Sequence, residues 1–117
     1  MKVEKFKVID YIRQLLIMID VELDNFPKKE IELKNRIKNN SYDILELSYQ
    51  ANSLEDIKEK INILHIIIAK IKIIDFLLNL SLDKNLIVSK KYLKLANKID
   101  DITKYTIGWI KSLAKIN

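Results

Sequence analysis

Cysteine is absent from this chain of 117 residues, and glycine, proline, histidine and tryptophan occur once each. Without cysteine there is no disulfide, no thiolate metal site and no thiol nucleophile, a composition that fits a reducing cytoplasm. A single glycine cannot build a glycine-rich phosphate loop. With a single proline beside it, turn chemistry is too scarce for an all-β fold with many hairpins. The sole histidine, His65, lies in an isoleucine-rich run with no cysteine partner and reads as a core or interface residue rather than a ligand or base. No Glu-x-x-His pair occurs, so a ferritin-like di-metal centre is not expected, and Glu55 and Glu59 form only a bare i,i+4 pair. The serines have no histidine companion. Neither a catalytic site nor a metal or cofactor is expected. Long apolar runs are also missing. The longest uncharged stretch is Ile61 to Ala69, and Lys70, Lys72 and Asp75 follow it. A membrane span needs about 20 largely uncharged residues, so none is expected. The first residues alternate charged and apolar character, unlike a signal peptide, so a cytoplasmic protein is expected.

What is present is apolar and basic. Hydrophobic residues make up 49% of the chain, enough for one domain with its own core. The net charge of +5 is unevenly spread. Nine basic residues face eleven acidic ones up to Ile57, and twelve face five from Lys58 onward. A basic C-terminal half suits an acidic partner such as nucleic acid, and a lysine-rich genome-wide composition explains it equally well.

Periodicity predicts four helices, at about 3–24, 28–51, 54–82 and 89–114. In the first, Phe6, Ile9, Ile12, Leu16, Ile19 and Leu23 recur at three- and four-residue steps. Asn25-Phe26-Pro27 ends it, and Pro27 suits the first turn of the second helix. There Ile31, Leu33, Ile37, Ile44, Leu45 and Leu47 form the apolar side. Ser53 with Asp56 three residues later reads as a cap for the third helix. Ile61, Leu64, Ile68, Ile71 and Phe76 are its expected core face. Ile63, Ile66, Ile67, Ile73, Ile74 and Leu77 spread around its circumference, more apolar surface than one small bundle buries, so a subunit interface is expected there. Leu86, Ile87 and Val88 are expected to plug the bundle end, and Ser89 to cap the fourth helix. Short connections favour antiparallel neighbours, hence an all-α, up-down-up-down four-helix bundle spanning residues 1–117.

At about 100° per residue, Lys90, Lys91, Lys94, Lys98, Lys104, Lys111 and Lys115 share an arc of about 160° on the fourth helix. Leu95, Ile99, Ile102, Ile110 and Leu113 lie opposite. Asp101 falls within the arc, Asp100 at its edge, and Tyr105 and Trp109 flank it. Such a stripe holds phosphates, with aromatics nearby for stacking on bases. On periodicity alone, the simpler reading is the solvated face of an ordinary amphipathic helix. Gly108, near the middle of the arc, leaves a shallow spot where a neighbour can approach.

The stretch FPKKEIELKNRIKNNSYDILELSYQAN resembles the second helix of the family containing the accessory variability determinant (Avd) of diversity-generating retroelements. Phe26, Pro27 and Lys28, then Arg36 and Ile37, then Ile44, Leu45 and Leu47, then Ala51 and Asn52 match its pattern. The family's closing Gly-Gly-Trp and basic residue is similar to Ile107, Gly108, Trp109 and Lys111, with Ile107 replacing the first glycine. The resemblance implies a barrel-shaped homopentamer without catalytic activity or cofactor. Such a protein binds a reverse transcriptase and RNA or DNA through a basic surface, supporting mutagenic copying of a template. The seven lysines, and Arg36 as a further candidate, are then the nucleic-acid contacts. A sister group, the four-helix protein encoded in intervening sequences of ribosomal RNA genes, implies a structural oligomer with protein-only interactions.

Overall fold

A computed structural model describes residues 2–116, with side chains described from Lys5 to Ile116. Four helices make up the chain: α1 (Lys2–Leu23), α2 (Ile31–Ser53), α3 (Ile57–Asp83) and α4 (Ser89–Ile116), with a 3-10 turn at Lys28–Glu30 leading into α2. α1 packs on α2 and α4, and α3 packs on the same two, while the diagonal pairs do not meet among the described residues. The result is the expected up-down four-helix bundle. It is a rod of 48 × 23 × 18 Å with a radius of gyration of 14.8 Å, against about 13 Å for a rounder domain of this length.

The core follows a seven-residue rhythm on every helix. α1 buries Val8, Ile12, Leu15, Ile19 and Leu23, and α2 buries Ile37, Ser41, Ile44, Ser48 and Ala51. α3 buries Leu64, Ile67, Ile71, Ile74, Leu78 and Ser81, with Leu77 beside them, and α4 buries Leu95, Ile99, Ile102, Thr106, Trp109 and Leu113. Alternating three- and four-residue steps keep one seam facing the bundle axis, the geometry of left-handed helix packing. The buried hydroxyls do not break the seam, because each donates to a carbonyl one turn back. Ser41 Oγ reaches Ile37 O at 2.6 Å, Ser81 Oγ reaches Leu77 O at 2.8 Å, and Thr106 Oγ1 reaches Ile102 O at 2.7 Å. Their small size lets neighbouring backbones approach.

Several expectations need correcting. Phe6 and Phe76, assigned to the core from their spacing, are exposed, and Val8, Leu15, Ile67 and Ile74 are buried instead. His65 is exposed on the outer side of α3 and takes no part in the core. Ser53 does not cap α3. Its hydroxyl turns back to Gln50 O at 3.0 Å, and Asp56 is the cap, its side chain accepting from the Glu59 N–H at 3.0 Å. Pro27 precedes the 3-10 turn rather than standing in the first turn of an α-helix. Tyr92 N–H donates to Val88 O, which puts Val88 at the cap of α4 and Ser89 one step inside. Of the expected plug, Ile87 is buried, Leu86 half-buried and Val88 exposed. Ile87 and Phe26 close the same end of the rod.

Polar ties fix the helix ends. Lys60 Nζ donates to Ala51 O at 2.8 Å and so satisfies a carbonyl at the end of α2. Burial, with the nearby Lys5 ammonium adding to it, holds the Lys60 pKa below its ordinary 10.5. Lys84 bridges from the end of α3 to Glu30 at 3.0 Å, and Lys70 bridges from α3 to Asp43 on α2 at 3.2 Å. The α3–α4 connection is a Schellman motif. Leu86 N–H donates to Ser81 O and Asn85 N–H to Leu82 O, with Asn85 left-handed at φ 62°.

Candidate nucleic-acid interface

The four seams leave α4 with one face for water and one edge against α1, and the lysines occupy both. Lys90, Lys91, Lys94, Lys104, Lys111 and Lys115 are exposed. Lys98, half-buried, is already engaged. Its Nζ donates to Gln14 Oε1 at 2.7 Å and lies 4.4 Å from the centre of the Tyr11 ring.

Around that point the seam between α1 and α4 gathers a basic and aromatic cluster. Tyr11 and Tyr105 meet edge to face, ring centres 5.6 Å apart at 66°. Lys7, on α1, stands 5.0 Å from the Tyr105 ring centre and 5.8 Å from that of Tyr11, and Lys104 stands 5.6 Å from that of Tyr105. The polar tips of Tyr105 first and Tyr11 second raise the Lys7 pKa above its ordinary 10.5, so its positive charge is held more firmly. Lys7 was not among the residues chosen from the sequence. Its one-turn spacing to Tyr11 is the only local signal, since Tyr105 joins them through packing alone.

Farther along the same seam, Lys91 and Lys94 rim an open groove whose floor is Ile17, Met18, Val21 and Leu95, with Glu22 on its other side. Lys90, Lys91 and Lys94 crowd the first two turns of α4, and the first turn holds no acidic residue. The N-terminus of a helix carries partial positive charge, so these lysines add to that potential and oppose the helix's own preference for carboxylates.

Two expected members do not join. Arg36 is on α2, diagonal to α4, and pairs loosely with Glu32 at 3.8 Å. Trp109 is 3% exposed and belongs to the core, so it offers no face to a base. Gly108 is half-buried, its φ is not positive, and Ser112 Oγ donates to its carbonyl at 3.0 Å. Backbone handedness therefore does not explain that glycine.

Among the described residues no group of three histidine or acidic side chains is placed to hold a metal ion, and no helix is long and apolar enough to cross a membrane. Comparison with protein families, curated proteins and solved structures finds no match.

Proposed function

We propose that this protein is a non-enzymatic adaptor that binds nucleic acid along the α1–α4 seam. In the reading that its motifs support, it serves a reverse transcriptase of the diversity-generating kind as an Avd-like homopentamer. The observation that carries the nucleic-acid part is the one-sided lysine face of α4, extended onto α1 by Lys7 and lined by Tyr11 and Tyr105. Lysines neutralise phosphates, the half-buried tyrosine edges offer contact for bases, and repetition in an oligomer multiplies a weak field into useful affinity. Three lysines at the positive end of a helix favour an anionic partner over a purely structural role. The reverse transcriptase and the subunit number rest on the resemblance of Phe26-Pro27-Lys28, Ala51-Asn52 and Gly108-Trp109 to that family.

The test is a salt titration of RNA binding with Lys94→Glu/Lys111→Glu. Both side chains are exposed and unpaired by any ion pair described above. Each lost phosphate contact lowers the log–log salt slope by about 0.7–0.9. Weaker binding with a slope reduced by roughly 1–2 supports the seam. Unchanged binding and slope remove it, and no RNA retention by the unsubstituted protein favours a protein-only scaffold of the ribosomal intervening-sequence type.

A further inference from the structure

The open groove between α1 and α4 has a floor that phosphate binding does not use. Ile17, Met18 and Val21 from α1 and Leu95 from α4 make it aliphatic. A phosphate needs only the lysines. A nucleobase needs an aromatic face and hydrogen-bonding partners, and this floor offers neither. Ile17 and Val21 stand one turn apart and are 68% and 57% exposed, so apolar surface stays open to water. The groove encloses about 230 Å³, less than the roughly 300–1,000 Å³ of most ligand pockets.

Polar groups bound this floor. Lys98 Nζ donates to Gln14 Oε1 across the seam at 2.7 Å, and that tie closes the groove toward the tyrosine pair. Lys91 and Lys94, both exposed, stand on one rim. Glu22 stands on the other, and among the described residues no ion pair ties it to either lysine. Two ammoniums against one carboxylate leave a net positive rim over an apolar floor. A docked helix does not suit this shape. Its anchors at i, i+3 or i+4, and i+7 extend over about 10 Å. The floor runs about 6 Å from Ile17 to Val21, and the Lys98–Gln14 tie stands where the next anchor falls. A flat anionic bilayer does not suit it either. Asp10, Asp20 and Asp24 are exposed on α1 near Ile17 and Val21, and they oppose its headgroups. A single alkyl chain lying in the groove avoids both obstacles.

We infer that this groove binds a single-chain anionic amphiphile, a fatty carboxylate of medium length. The chain lies on Ile17, Met18, Val21 and Leu95, and the carboxylate sits between Lys91 and Lys94. Burial of the chain supplies the affinity, and the two ammoniums fix which end of the ligand faces α4. Neither the floor nor the chain enters the nucleic-acid reading, which its own salt titration decides.

Met18 is a built-in reporter. The chain has two methionines, and Met18 lines the floor. With isotope-labelled methionine methyls, decanoate added below its micelle-forming concentration is expected to move the Met18 signal saturably. Affinity is expected to rise from hexanoate through octanoate to decanoate, by up to about fourfold per methylene buried. Decanol, the same chain without the charge, is expected to bind more weakly. Lys91→Gln/Lys94→Gln is expected to weaken decanoate about three- to tenfold and to leave decanol unchanged. Val21→Glu sets a carboxylate in the groove at an exposed position and is expected to weaken both, with circular dichroism checking that each variant stays helical. The absence of a saturable Met18 shift, affinity indifferent to chain length, or decanoate affinity unchanged by the lysine substitutions overturns the assignment. A Met18 signal that moves with protein concentration alone gives the groove to a second copy. A short peptide of leucine and glutamate that moves it where decanoate does not gives it to a protein partner. Either result overturns the fatty carboxylate.

Discussion

Asn85 is the single described residue other than glycine with positive φ, 62°, and it holds the turn between α3 and α4. The left-handed region costs an L-residue about 1–2 kcal/mol, less for asparagine, and nothing steric for glycine. Asn85→Gly is therefore expected to raise stability by about 0.5–1 kcal/mol, and Asn85→Val to lower it by at least as much, read as opposite shifts of the urea midpoint. The chain has kept its one glycine for position 108, where no positive φ calls for it. At Asn85 the local chemistry of asparagine suffices.

At the scale of elements, α4 sets its first-turn charges against its own dipole. Lys90 and Lys91 stand in its first turn, where carboxylates are favoured by about 0.3–1 kcal/mol each. Lys90→Glu/Lys91→Glu is expected to raise the thermal midpoint by a few degrees while weakening RNA binding. A loss of stability in that variant shows that the lysines serve the fold. How far the helices were legible follows from the same physics. Four amphipathic periods, a Pro-linked turn and an Asp-Lys-Asn break placed every helix within a few residues. The start of α3 was misplaced because Ser53 and Asp56 both have cap chemistry, and only packing decides which hydroxyl or carboxylate faces the open N–H groups. The core face of α3 was partly misread because its inner and outer stripes obey the same heptad spacing, so Phe76 was as good a core candidate as Ile74. The lysine arc was legible because it lies on one helix. The Tyr11–Tyr105 pair with Lys7 was not, because it exists only between two.

At the scale of the molecule, α3 has no fully polar side. Its inner seam is buried in the protomer, while Ile66, Ile73 and Phe76 stand exposed on the opposite face of the same helix. A second copy seated on that exposed face would make the thermal midpoint depend on concentration through mass action. The midpoint of the unsubstituted chain is expected to rise as protein is added, and that of Ile73→Glu to stay level. Equal behaviour of the two detaches the outer seam from stability. The molecule carries its own optical reporter for that distinction. Trp109 is the only tryptophan, and it lies inside the bundle on α4. Its emission responds when water enters the core and is silent when copies merely separate. Scattered light and tryptophan colour, recorded from one cuvette, therefore report any change of assembly and the melting of each protomer as two separate events.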